Sequence, residues 1–127
     1  MNFQVKDSGE RYVTLTGMQR DTNKGKMRPD LCIPLDCKNP MFIRWAIHMA
    51  EGAKKYGERN CEKARTADEY YRFKESAFRH FLQWLIGEED EDHASAVYFN
   101  IQGAEYTKER MEQEQLNDSD RGTARLV

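Results

Sequence analysis

Apolar positions recur at helical spacing in three places along this chain and alternate loosely in a fourth. Ala77, Phe78, Phe81, Leu82, Trp84 and Leu85 follow the i, i+3, i+4, i+7 rhythm of an amphipathic helix, and Gly87 is its natural stop. A second helix is predicted after it, with His93, Ala96, Val97, Asn100, Ile101 and Ala104 on one stripe and charge pairs extending it to about Gln115. Upstream, Asn39-Pro40 is a helix start and Gly57 a helix stop, enclosing four to five turns whose stripe holds Ile43, Ala46, Ile47, Ala50, Met49, Ala53 and Tyr56. Near the N-terminus, Phe3 and Val5, the turn Asp7-Ser8-Gly9, then Tyr12, Val13 and Leu15 up to Gly17 predict two short strands. The pattern implies a mainly α fold, a compact bundle of three to four helices with a small N-terminal β-hairpin.

Residues 18–35 carry Gly25, Pro29 and Pro34 as breakers and predict an extended basic loop with Arg20, Lys24, Lys26 and Arg28. This is either a solvated charge run or a flap over a phosphate-bearing ligand. We expect a single domain over residues 1–116, with hairpin and basic loop in 1–38 and the helical core in 39–116. Residues 117–127 are expected to be a disordered tail.

The joint between the last two helices concentrates the candidate chemistry. Glu88, Glu89, Asp90, Glu91 and Asp92 follow one another directly into the start of the second helix, where carboxylates cap free N–H groups and complement the helix dipole. Folded antiparallel across that turn, the two helices bring His80, His93, Asn100 and the carboxylates into one cleft. A buried polar stripe must be satisfied, and helix bundles build metal and ligand sites in this way. Lys54 is expected on the inward side, continuing the Ile43–Ile47–Ala50 row, and Lys55 pairs with Glu51. Two lysines there complement the helix dipole or grip a phosphate.

Composition narrows the field. The chain has 127 residues, 33% charged and 39% hydrophobic, with a net charge of −2, which leaves no overall basic footprint for nucleic acid. Cys32, Cys37 and Cys61 form neither a disulfide framework nor a zinc pattern, so reduced thiols in a cytoplasm are expected. Neither a leader nor a membrane span is predicted.

The segments DSGER (7–11), TG (16–17), RDTNKGKMRPDL (20–31), GAKKYGERN (52–60), SAFRH (76–80) and DEDHASAVYFN (90–100) resemble, in order and spacing, a phage and prophage family. It is described as the N-terminal domain of dATP/dGTP diphosphohydrolases and grouped loosely with MazG-like nucleotide pyrophosphohydrolases. The resemblance implies cleavage of a purine (deoxy)nucleoside triphosphate to monophosphate and pyrophosphate, with Mg²⁺ as cofactor. It implies Glu75, Glu88, Glu91 and Asp92 as metal ligands, and His80, His93 and Glu88 as catalytic groups. Lys54, Lys55, Tyr56, Arg59, Asn60, Arg79 and Asn100, with Lys26 and Arg28, would hold substrate. Two departures stand out: Cys61 follows Asn60 where the family has Trp, and Glu88-x-x-Glu91 falls at the turn instead of mid-helix.

Two rivals use the same residues. One is a protein that sequesters a nucleotide without cleaving it, expected if the carboxylates cap the helix instead of converging. The other is a histidine–aspartate metal phosphohydrolase built on His80, Asp92 and His93, which lacks further ligands at clear positions. Small-residue faces at Ala50, Ala53, Ala96 and Ala104 lead us to expect a homodimer or larger assembly.

Overall fold

A computed structural model describes residues 3–126, with side chains to residue 117. Its contacts divide the chain into two compact units, Met1–Pro34 and Leu35–Val127. The whole is 59% helical, with three helices and one two-stranded antiparallel hairpin.

In the first unit the hairpin exists but is displaced along the chain. Strand β1 is Arg11–Val13 and β2 is Gln19–Asp21, paired Arg11 to Asp21 and Val13 to Gln19. The turn between them uses Gly17 at φ 86°, where an L side chain would be strained. The expected turn at Asp7-Ser8-Gly9 is a separate bend in which the Asp7 carboxylate accepts the Gly9 N–H at 2.9 Å. Part of the stretch expected to be an irregular basic loop therefore forms the second strand. Two glycine turns flank the apolar run, and alternation alone did not say which one closes a hairpin. The Asp21 carboxylate accepts both the backbone N–H and the hydroxyl of Ser8 and pins the bend to the hairpin.

The second unit holds α1 (Met41–Tyr56), α2 (Ala67–Leu85) and α3 (His93–Leu126). Pro40 precedes α1, and Gly57 ends it at φ 91° with its N–H returned to the Ala53 carbonyl. A capping box starts α2: Thr66 accepts from the Glu69 N–H while the Glu69 carboxylate accepts from that of Thr66. The backbone of α3 stays helical to Leu126, past the end expected near Gln115, and Val127 lies outside the described residues. No proline interrupts 93–126, and a helix propagates residue by residue once nucleated.

α3 is the element on which both other helices pack, most extensively α2. Its buried or near-buried positions His93, Ala96, Asn100, Gly103 and Thr107 alternate at intervals of three and four, a narrow seam of the coiled-coil kind. The facing row on α2 is Glu69, Phe73, Ser76, His80 and Gln83, at the same alternation. Gly103 lets the helices approach closely, since a Cβ there would lie 2.5 Å from the Phe73 ring. Asn100 and Thr107 satisfy themselves on their own helix, donating to the carbonyls of Ala96 and Gly103, each at 2.7 Å.

The α3 stripe is largely buried as expected, through His93, Ala96, Asn100 and Ala104, but most of the large apolar side chains expected to form the core on α1 and α2 face outward. Phe78, Leu82 and Leu85 of α2 are 64%, 43% and 62% exposed, and Ile43 and Ile47 of α1 are exposed too. The inner side of α1 is instead Trp45, His48, Met49, Gly52 and Ala53, of which Trp45 stacks edge-on against Tyr98. α1 is apolar around most of its circumference, so its pattern did not choose a side.

Candidate active site

A cleft of about 540 Å³ runs along α1 in the second unit. Such a volume suits a nucleotide-sized ligand. Its floor is the α2–α3 seam, through Ser76, His80, Ala96, Phe99 and Asn100. Glu91 and Asp92 line it beside Arg44, while Lys55, Tyr56, Arg59, Asn60 and Cys61 line it at the C-terminal end of α1. Eleven residues separate Arg44 from Lys55, so the cleft follows the helix for roughly 16 Å.

The expected substrate residues divide. Lys55, Tyr56, Arg59, Asn60 and Asn100 line the cleft. Lys54 does not: its side chain is 74% exposed and pairs with Glu51 at 3.2 Å. Arg79 is on the exposed side of α2, its guanidinium near the Ser76 hydroxyl. Lys26 and Arg28 belong to the first unit, where they pair with Asp21 and Asp30. Arg59 adopts the left-handed region at φ 58°, an uncommon conformation for a side-chain-bearing residue, and its guanidinium is held by Glu62 at 3.1 Å.

The four carboxylates expected to hold Mg²⁺ do not converge. Asp92 forms a two-pronged pair with Arg44, at 2.9 Å from its Nε, and caps α3 by accepting from the Ser95 N–H and hydroxyl. Arg44 above all, then these caps, hold its carboxyl well below the usual carboxylate range. Glu88 accepts from Gln83 Nε2 at 2.9 Å. Glu75 sits with Phe78 and Leu82 on the outer side of α2, away from the seam. Glu91 places a carboxylate oxygen within 4.8 Å of ring nitrogens of His80 and His93, and Glu88 places one within 4.8 Å of His93 beside Asp90, so each of the two meets the histidines in a separate group. An all-oxygen magnesium cage of Glu75, Glu88, Glu91 and Asp92 therefore does not fit these residues.

His80 and His93 do meet. Their Nδ1 atoms are 2.9 Å apart, and His93 Nε2 lies 2.7 Å from Asp90. His93 is buried beneath the seam, and His80 reaches the cleft. Burial pulls the His80 imidazole below its ordinary pKa of 6.5, while its hydrogen bond to His93 lowers the Asp90 carboxyl. The sequence spacing already points to the histidine pair, because antiparallel helices across a short turn bring His80 and His93 together. It leaves unassigned Arg44, His48 and Asp90, the first of which meets its partner 48 residues away.

A model of the dATP/dGTP diphosphohydrolase N-terminal family matches residues 16–117. The chain belongs to that family. No curated protein and no solved structure matches it. The matched span contains every residue that lines the cleft. Among the described residues no helix is long and apolar enough to cross a membrane.

Proposed function

We propose that the cleft binds a purine (deoxy)nucleoside triphosphate and that the chain hydrolyses it to the monophosphate and pyrophosphate. The observation that carries this reading is a family matched over the whole cleft, whose name states dATP/dGTP diphosphohydrolase activity, combined with the division of the cleft into two ends. At one end Lys55 and Arg59 supply cations for phosphates, Arg59 at the cost of its pairing with Glu62. At the other, His80 and Glu91 are the groups that can handle a water molecule. Tyr56 and Phe99 offer aromatic surface for a base between them.

A second reading, sequestration of the nucleotide without cleavage, is favoured by the disengagement of Glu75, Glu88 and Asp92 described above. Both readings use the same cleft, so one experiment separates them. Wild type is titrated calorimetrically with dATP and dGTP, with and without Mg²⁺, and pyrophosphate release is followed in parallel. Binding with release supports the hydrolase; binding without release transfers the reading to a sequestering protein. Absence of binding, or affinity unchanged in Lys55→Ala and Arg59→Ala, removes the cleft assignment.

We further propose a homodimer or larger homo-oligomer, assembled over the exposed side of α2, where Tyr71, Phe78, Leu82 and Leu85 form an apolar row interrupted by Glu75. A row of this kind left in water is unusual for a monomer.

A further inference from the structure

Asp90, His93 and His80 stand in line, and imidazole chemistry dictates what the line does. A neutral imidazole carries one N–H and one lone pair, whereas a carboxylate only accepts. With His93 Nε2 at 2.7 Å from Asp90, the His93 proton sits on Nε2 and its Nδ1 is an acceptor. The hydrogen bond across the 2.9 Å gap between the two Nδ1 atoms must then be donated by His80. His80 Nε2, on the opposite edge of that ring, is left with its lone pair. His80 lines the cleft, while the side chain of His93 is 1% exposed.

A bridging cation would need different geometry. Nitrogen ligands sit about 2.0–2.1 Å from such an ion, so their lone pairs converge on a point off the line joining them. Here the ring centres are 5.1 Å apart against 2.9 Å between the nitrogens, so the rings meet nearly nitrogen to nitrogen. That spacing holds a proton.

We propose that His80 is the general base of the hydrolysis, and that His93 and Asp90 are positioning residues that fix its tautomer. The inference rests on the cleft being the nucleotide site. His80 Nε2 takes a proton from water as the water oxygen bonds to a phosphorus of the α–β linkage. The bond from that phosphorus to the bridging oxygen breaks, and the electron pair departs on the leaving phosphate oxygen. The imidazolium so formed lies one histidine away from the Asp90 carboxylate, which compensates its charge, and it returns its proton to solvent.

The test combines imidazole ¹H–¹⁵N spectra of the full chain in a metal chelator with steady-state hydrolysis of dATP and dGTP. The spectra should show His93 protonated at Nε2 and His80 at Nδ1. His80→Ala should lower kcat by about 10²–10⁴-fold. Asp90 is exposed, so Asp90→Ala keeps the fold; it should lower kcat about tenfold or more with KM little changed, and let His93 populate both tautomers. The proposal is overturned by a His80 carrying its proton on Nε2, or by His80→Ala retaining wild-type kcat. It is overturned equally by Zn²⁺ or Mn²⁺ binding at one ion per chain that displaces the Nδ1 proton and is needed for turnover. A wild type that binds nucleotide but releases no pyrophosphate refutes the hydrolase reading and with it the base, and the spectra then show whether the hydrogen-bond chain stands alone.

Discussion

α2 has two seams on nearly opposite sides, and they invert the usual distribution of polarity. The row against α3 is Glu69, Phe73, Ser76, His80 and Gln83; the row two residues further on, turned by about 200°, is Tyr71, Glu75, Phe78, Leu82 and Leu85. The covered row is mostly polar or small, and the uncovered row mostly large and apolar. A polar row is tolerable inside because its groups have partners: Glu69 on the Thr66 cap, His80 on His93, Gln83 on Glu88. The apolar row has no counterpart within the described chain. Hydrophobicity along one helix therefore marks a surface to be covered, and whether this chain or another copy covers it is a separate question.

The largest effect is expected where the uncovered row is broken. Each apolar side chain buried contributes about 1.5–3 kcal/mol, so replacing Phe78 and Leu82 by Ser in both copies of a dimer removes roughly 6 kcal/mol or more of association. Light scattering should report an assembly for wild type and a 15.0 kDa monomer for Phe78→Ser/Leu82→Ser, with helical circular dichroism retained. A monomeric wild type at micromolar concentration would equate the two seams and sink the proposal.

A smaller effect tests the covered seam. Gly103→Val drives a branched side chain into the Phe73 ring, and overpacking of that kind costs about 3 kcal/mol. Chemical denaturation should show the loss, and Phe73→Leu in the same chain should recover part of it. A Gly103→Val protein as stable as wild type would mean that the seam is not closely packed.

The smallest effect is electrostatic. Asp92 joins α1 to the start of α3, and its carboxyl is held below the usual range by Arg44. A depressed folded-state pKa makes the stabilisation fully present above the ordinary value of 3.8 and lost as the pH falls through the lower, folded one. The pair is over one-third exposed, so its contribution is up to about 1 kcal/mol. Thermal melts of wild type should decline more steeply than those of Asp92→Asn below pH 3.8. Parallel curves would dissociate Asp92 from the packing of α1.

Much of the architecture was legible because it depends on neighbours in sequence. The glycines at 57 and 87 end α1 and α2 as expected, since backbone freedom at one residue suffices to stop a helix. The meeting of His80 and His93 was legible too, because a short turn between antiparallel helices leaves few registers. Lys54 was misplaced because it was assigned inward on the assumption that the most apolar stripe faces the core, whereas Glu75 was assigned to a metal only through the family resemblance, which says nothing of the side of α2 it lies on.

The sequence by itself determined the helices, the stops of α1 and α2, the acidic joint and the pairing of the two histidines, all consequences of local spacing and of which residues can cap, turn or hydrogen-bond nearby. Only the tertiary structure decided which side of α1 and α2 was covered, that Arg44 claims Asp92, and that Asp90 reaches His93 Nε2. A helix with apolar groups on several sides has more than one way to pack, and the choice is made by close approach at Gly103 and by partners 48 residues apart, which no local pattern encodes.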